Sequence, residues 1–467
     1  MSHQSDSSSS DKSYQSDSSS STDEDDNLNN FDPVEDIDTW EVFTVEQEIF
    51  DRVIDRIDER LTHRLITRFE ERNLEQSLRR SGRRRYIHRI REIAHQNLVH
   101  YYFSDNPMYT DEMFRRRFRM RRPLFLRIVN ALSAWDPYFT HRTDATNRPG
   151  LTPLQKCTAA IRMLAYGTSA DQLDEVLMLA ASTTLECLGM FAQGVIDMFG
   201  EEYLRPPRCD EVEHLLQIGE SRRFPGMLGS IDCMHWQWEK CPNAWRGQFT
   251  RGDHGVPTMI LEAVASYDLR IWHAYFGVAG SNNDINVLNK SPLFVQELKG
   301  EAPRVQFTVN GRQYNRGYYL ADGIYPEWAV FVKTIPLPRI EIDKGFARYQ
   351  EGARKDVERA FGVLQSRFNI VRRPAKLWKR ASVGKIMEAC IILHNMIVED
   401  EGEMVHIPLD LYENPGTYCA LPPEVNRGPN ICFTDVLQRN SSICARPTHL
   451  KLKQDLVEHI WQKFGDE

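Results

Sequence analysis

The stretch 226–241, GMLGSIDCMHWQWEKC, reads as a strand covered on both faces, and it carries one carboxylate, Asp232, at its middle. One face presents Leu228, Ser230, Asp232, Met234 and Trp236, and the other Gly229, Ile231, Cys233 and His235. Such near-continuous apolar patterning belongs to strands buried on both sides of a sheet. A carboxylate there is costly unless something positive meets it. His235 either orients a substrate or fills core. Outward from this strand, PTMILEAVASYD (257–268) and RIWHAYFGVAG (270–280) read as two more strands, with SYDLR as a hairpin connection. DINVLNKSPLFVQELK (284–299) reads as a helix, and Asn310-Gly311 marks a tight turn within VQFTVNGRQYN. GYYLADG (317–323) is a fourth strand and EWAVFVKTIP (327–336) holds a fifth. EGARKDVERAFGVLQSRFNIV (351–371) is a helix with Val357, Phe361, Leu364 and Phe368 facing the core.

Three more acids stand at edges of these elements. Asp322 ends the fourth strand and is followed by Gly323, Asp284 opens the helix after GVAGSNN, and Glu358 lies mid-helix with Arg354 one turn before it and Gly362 one turn after. Asp284 is explained equally well as a helix cap and Asp322 as a turn residue, whereas Asp232 and Glu358 are harder to explain as structure. Acids so distributed suit phosphoryl transfer, in which two divalent ions roughly 3.5–4 Å apart need hard oxygen ligands. Without a cation the same carboxylates repel one another.

The rest of the chain sets the context. The 467 residues carry a net charge of −8, but residues 1–40 hold eleven acids against one lysine, while 79–122 hold thirteen arginines against four acids. A basic field of that size suits a polyanion. Twelve of the first 21 residues are serine, so 1–43 are expected to form a disordered, acidic tail. Residues 44–220 read as a helical region. Its first helix carries Phe50, Val53, Ile54, Ile57, Leu61, Leu65 and Phe69 at three- and four-residue steps, a stripe that needs a partner in this chain or a second one. RRSGRRRYIHRIR (79–91), with Arg83, Arg84 and Arg85 at its centre, and FRRRFRMRRPLFLRIV (114–129) are nucleic-acid contacts or solvated helix faces over a core of Phe114, Phe118, Phe125 and Ile128. Residues 151–200 read as three helices, broken at Gly167 and with Ser182 capping the third. They fit a helix-turn-helix, though the third helix has no Arg or Lys, and they fit a structural bundle as well. Residues 221–400 form the strand-rich domain. The extension 401–467 is expected to be loop-rich up to the amphipathic LKLKQDLVEHIWQKF (450–464). Nine cysteines without a CxxC pair argue for a reducing compartment, no apolar run approaches a bilayer span, and no GxxxxGK[ST] loop supports an NTPase.

GSIDCMHWQWEKCPNAWRGQFTRGDHG (229–255), LEAVASYDLRIWHAYFGVAGSNNDINVLNKSPLF (261–294), YNRGYYLADGIYPEW (314–328), EGARKDVERAFGVLQSRFNIVRRPAKLWKR (351–380) and ACIILHNMIVEDE (389–401) together resemble the plant Pong-like transposases of the PIF/Harbinger superfamily. The resemblance implies an α/β, RNase H-like core, a mixed five-stranded sheet flanked by helices, with an all-helical, helix-turn-helix-like region before it. It implies a catalytic triad of Asp232, Asp322 and Glu358 working through Mg²⁺ or Mn²⁺, with Asp284 as a further metal ligand. The reaction it implies is cleavage at transposon ends, followed by attack of the freed 3′-hydroxyl on short TTA/TAA targets. Its expected partners are the terminal inverted repeats, a Myb-like companion protein and at least a second copy of the chain, in the nucleus and away from membranes. Arg354, Lys355 and Arg359 beside Glu358 are candidate DNA contacts or, equally, residues that keep the helix surface soluble, and Trp245, Arg246 and Arg251 in the loop after the first strand are further candidate DNA contacts. The competing reading is a domesticated relative that binds DNA or chromatin without cutting. An unrelated two-carboxylate hydrolase would leave the basic segment 79–122 unexplained.

Overall fold

Strand β1 (Met227–Gln237) forms the middle of a five-stranded sheet. It pairs antiparallel with β2 (Thr258–Ala265), which pairs antiparallel with β3 (Ile271–Ala279). On its other side β1 pairs parallel with β6 (Tyr318–Ala321), and β6 pairs parallel with β7 (Phe331–Lys333), giving the order β3-β2-β1-β6-β7. A meander extended by two parallel strands is the mixed sheet expected of an RNase H-like core. All eight residues of β2 are buried, because helices cover both faces.

The computed structural model describes residue 56 and residues 59–71, 87–143, 148–402, 418–422 and 433–464. The acidic tail expected at 1–43 and Arg83, Arg84 and Arg85 lie outside the described residues. The chain divides into Met1–Arg85 and Tyr86–Glu467. In the first unit a helix, α1, spans 59–71 and leaves Leu61, Leu65, Ile66 and Phe69 exposed.

In the second unit, α2 (Arg91–Tyr102), α3 (Asp111–Phe118), α4 (Arg122–Trp135) and α5 (Pro153–Tyr166) precede a single-turn α6 (Asp174–Leu177), α7 (Ala181–Tyr203) and α8 (Cys209–Ser221). The side chain of Thr152 caps α5 in a reciprocal box with Gln155, and Gly167 ends it in the left-handed conformation. Helix α7 starts one residue before Ser182, with Ala180 at its N-cap, so the expected serine cap is not used. Thr184, Cys187, Phe191, Ala192 and Val195 bury its length against α5 and α14 (Arg380–Gly402). It is a core helix of the bundle.

The second basic cluster is also largely absorbed by the fold. Phe114 and Phe118 stack with ring centroids 4.0 Å apart and are fully buried. Around them Arg115 meets Glu401 at 2.5 Å, Arg121 meets Asp400 at 2.6 Å, Arg122 meets Asp111 at 2.6 Å, and the Arg117 guanidinium lies 4.0 Å over the Tyr109 ring. Arg115 and Arg121 join α3 and the start of α4 to the end of α14, and Arg122 joins α4 to α3.

Between β1 and β2 lies a single helical turn, α9 (Arg246–Phe249). The helix expected over 284–299 is broken into α10 (Asp284–Leu288), a 3₁₀ turn at Pro292–Phe294 and α11 (Val295–Lys299). Proline cannot donate the missing hydrogen bond, and the Ser291 hydroxyl caps the new turn instead. The segment around Asn310-Gly311 is a hairpin, β4 (Arg304–Val309) and β5 (Arg312–Tyr314), in a separate three-stranded sheet completed by β8 (Tyr418–Leu421). Residues α12 (Glu341–Arg367) and α13 (Asn369–Arg372) follow β7. The C-terminal part is less loop-rich than its composition suggests: α15 (Phe433–Ile443) and α16 (Arg446–Phe464) follow β8, and Leu452, Leu456 and Ile460 of α16 are buried with Phe346 and Ala353 of α12.

Helix α14 is the one described helix long and apolar enough to cross a bilayer, and twelve of its residues are buried against α7 and β3 instead. Its two polar residues in mid-run act as fasteners. The Asn395 side chain accepts from Ile271 N at 2.9 Å and donates to the Ile271 and Tyr203 carbonyls at 2.7 Å each. His394 Nε2 lies 2.8 Å from the Leu269 carbonyl and Nδ1 lies 3.2 Å from an Arg367 nitrogen. The first is a donor's position and the second an acceptor's, so the ring is the neutral Nε2–H tautomer. Burial and the Arg367 charge push its pKa down to about 3. A histidine depressed in the fold binds its proton more readily unfolded, so stability is lost as pH falls from about 6.5 toward 3, at up to about 1.4 kcal/mol per pH unit. His394→Gln is expected to flatten that part of the melting temperature against pH curve. An unchanged slope would show that other groups set it.

Candidate active site

Four carboxylates come from four elements of the larger sheet and its helices. Asp232 lies within β1, opposite Ala263 of β2. Its Oδ1 accepts from Cys233 N at 2.8 Å, and its side chain is 18% exposed. Burial raises its pKa to about 6, the Asp284 and Glu358 charges add to the rise, and the Cys233 N–H and Arg354 oppose it. Asp284 is the first residue of α10, but Asn283 is its cap, accepting from Asn286 N at 2.9 Å, so the capping role expected for Asp284 falls to its neighbour. Burial raises the Asp284 pKa, with the Asp322 charge next and Glu262 also contributing, while the Cys233 thiol donates to it and Arg251 opposes. Asp322 follows β6 and closes a turn by accepting from Ile324 N at 2.6 Å. Glu358 stands on α12 with its side chain 44% exposed. Asp232 thus feels both Asp284 and Glu358, and Asp284 feels Asp322: four like charges share one region that water screens only in part.

Two buried side chains that motif reading missed hold the acid-bearing elements together. Ser230 Oγ donates to the Ala353 carbonyl at 3.1 Å, tying β1 to α12 two residues before Asp232. Gln350 Nε2 donates to the carbonyls of Ala321 and Val332 at 3.0 Å each, tying α12 to β6 next to Asp322 and to β7. A detectable signal existed: Gln350 shares the helix stripe of Phe346, Ala353 and Val357, where a polar residue needs a partner. Behind the acids, fully buried Glu262 lies 3.2 Å from His273, which lies 3.0 Å from Ser291 Oγ.

The residues singled out from sequence take several positions. His235 packs its Nδ1 2.9 Å from Thr258 Oγ1, and burial, with Arg251 next, lowers its pKa to about 4. It is a neutral, hydrogen-bonded part of β1. Trp245 packs on Trp238 and Phe249. Arg246 is exposed, and Arg251 pairs with Asp253 at 2.6 Å. On α12, Lys355 is exposed, while Arg359 pairs with buried Asp356, which Arg222 also binds, and lies 5.5 Å over the Tyr267 ring. Arg354 turns into the acids: one guanidinium nitrogen is 3.2 Å from Asp232 Oδ2 and the other 2.9 Å from Glu358 Oε1.

The donor set is hard oxygen, the chemistry that Mg²⁺ and Mn²⁺ require, and its clustered charge calls for a cation. Among the described residues, no three His, Cys, Asp or Glu side chains are close enough to hold one ion together as they stand. Gly362, one turn beyond Glu358, leaves open space, with nothing within 4 Å of a Cβ built there. The residues fit such a metal in kind, and the positive charge that meets Asp232 and Glu358 in this arrangement is Arg354.

Residues 201–405 match a family described as plant transposon protein, the stretch that holds all four acids. Residues 95–133 match a domain of unknown function (DUF8418). The chain is 24% identical over 272 residues to the Arabidopsis thaliana protein described as "Protein ALP1-like", covering 56% of this chain and 64% of that relative, which is less than two thirds of its length. No solved structure matches.

Proposed function

We propose that a chain similar over residues 201–405 to plant transposon proteins works as a DNA transposase, cutting transposon ends and joining them to target DNA in the nucleus. The observation that supports this reading is that Asp232, Asp284, Asp322 and Glu358, far apart in sequence, act on one another electrostatically, Asp284 and Glu358 on Asp232 and Asp322 on Asp284, with Arg354 in contact with both Asp232 and Glu358. In this reading Asp232, Asp322 and Glu358 are the catalytic acids, and with Asp284 they hold Mg²⁺ or Mn²⁺. Such ions, when bound, supply activation of the attacking oxygen and charge neutralisation at the leaving one. The chain's own contribution is placement. Cys233 N–H fixes one Asp232 oxygen, and Ser230 and Gln350 keep β1, β6 and α12 in register. Lys355 and Arg246 are exposed and available to phosphate, and Arg251, Arg354 and Arg359 would join them on releasing their present carboxylate partners. End recognition belongs to a Myb-like companion, because α7, the long helix of the helix-turn-helix-like stretch, is spent on the core. The substrates are terminal inverted repeats and TTA/TAA targets, handled by a homodimer or larger assembly.

A second reading has its own support. Arg354 bridges two of the acids and no trio of ligands stands ready among the described residues, an arrangement that suits a domesticated DNA- or chromatin-binding protein that does not cut. Mn²⁺-dependent cleavage of DNA carrying the terminal repeats, with the companion protein added, separates the two. Cleavage supports the transposase, and binding without cleavage at any metal concentration supports the second reading.

Arg83, Arg84 and Arg85 are proposed as backbone contacts. Replacing all three with glutamine is expected to weaken binding to every DNA sequence alike and to reduce the slope of log affinity against log salt by up to about 0.9 per lost phosphate contact. A loss confined to one sequence would show that they read bases.

A further inference from the structure

We propose that Arg354 is a built-in counter-cation for the acid cluster: its guanidinium clamps Asp232 to Glu358 and competes with a divalent cation for those two carboxylates. The inference rests on the reading of these acids as metal ligands. Two different nitrogens of one planar group are used, at 3.2 Å to Asp232 and 2.9 Å to Glu358, and the arginine is itself only 18% exposed.

A helix-surface pair explains only half of this. Glu358 is one turn from Arg354, and such i,i+4 pairs form on many exposed helices. Asp232 comes from β1, 122 residues earlier, and is mostly buried. Binding both at once places a single positive charge between two carboxylates from different elements, the same two that would hold a divalent cation in the proposed reading. The neighbouring basic residues of α12 do otherwise: Lys355 is exposed, and Arg359 turns to Asp356 and Tyr267. Gly362, one turn beyond Glu358, is exposed, and nothing lies within 4 Å of a Cβ placed there. A guanidinium cannot lose its proton to make way. Release therefore requires the side chain to swing out, and a swung-out Arg354 is free to meet a DNA phosphate. One residue then couples loading of the site to the arrival of substrate.

The test is Mn²⁺ binding by the full chain, measured by titration calorimetry, alongside melting temperature in chelator. Arg354→Met keeps the bulk of the side chain and removes the competitor. It is expected to bind Mn²⁺ about tenfold more tightly than wild type, and to melt lower in chelator with the loss recovered by Mn²⁺. A residue with only a structural role would not tighten metal binding when removed. Arg354→Lys retains a charge that cannot span both carboxylates, and it is expected to gain affinity to a smaller extent, which keeps the inference testable if the methionine variant does not fold. Wild type that binds Mn²⁺ no more weakly than either variant overturns the role of Arg354 and leaves the metal site standing. Wild type and variants that are all blind to Mn²⁺ overturn the metal reading itself, and this inference with it.

Discussion

Asp232→Asn is expected to lower Mn²⁺-dependent DNA cleavage by at least about a thousandfold, the equivalent of roughly 4 kcal/mol of transition-state stabilisation, without unfolding the protein. The substitution keeps the shape of the side chain and the acceptor for Cys233 N, so β1 and its pairing with β2 should persist. What it removes is one anionic oxygen from the cluster that Asp284 and Glu358 share. An amide there lacks the charge that a divalent cation requires, and it also leaves Arg354 with Glu358 alone. Glu358→Gln should act in the same way with a smaller structural cost, because Glu358 is nearly half exposed. The measurement is initial cleavage rate on a terminal-repeat substrate, with circular dichroism and melting curves as controls. Variants that fold and cut within a few-fold of an active wild type would remove these acids from the mechanism.

Asn395→Ala is expected to produce the largest loss of stability, about 3 kcal/mol or more, because it leaves three buried backbone groups with one partner fewer. The Asn395 amide fills both hydrogen-bonding groups of Ile271 in β3 and binds the Tyr203 carbonyl at the end of α7. Asn395 is fully buried, so bulk solvent offers these groups no replacement partner. Asn395→Asp tests the same point from the opposite side. It retains an acceptor for Ile271 N, loses both donors and adds a buried charge, so it should be no more stable than the alanine variant. Urea denaturation measures both, and a cost below about 1 kcal/mol would show that the helices and sheet are not joined through this side chain.

Much of this architecture was legible in the chain because its signals are local. The both-faces apolar pattern around Asp232 located β1, the hairpin SYDLR located the β2–β3 turn, and the three- and four-residue steps through Val357, Phe361 and Leu364 located α12. The acids at element ends were visible for the same reason. What the sequence concealed depends on distant pairing. Arg354 looked like a surface phosphate contact because nothing near it announces Asp232. The hairpin at Asn310-Gly311 was readable, but its partner β8 lies more than a hundred residues away, so the second sheet was not. The helix over 284–299 failed at Pro292, where a local rule was available and was outweighed by the apolar run around it. Asn395 and His394 carried a usable signal: two polar side chains inside IILHNMIV cannot be buried without partners, although the identity of those partners is set by the fold.

The packing of α16 on α12 bears on where this chain can be cut for laboratory work. The similarity to plant transposon proteins ends at 405, and a fragment stopping there would hold all four acids. It would lack Leu452, Leu456 and Ile460, which cover Phe346 and Ala353 on the same helix that carries Glu358, and it would strip β8 from the edge of β4. Such a fragment presents a bare apolar helix flank and an open edge on β4, both invitations to self-association. An expression fragment that keeps this packing therefore needs to extend through Phe464, some sixty residues past the end of the match to that family.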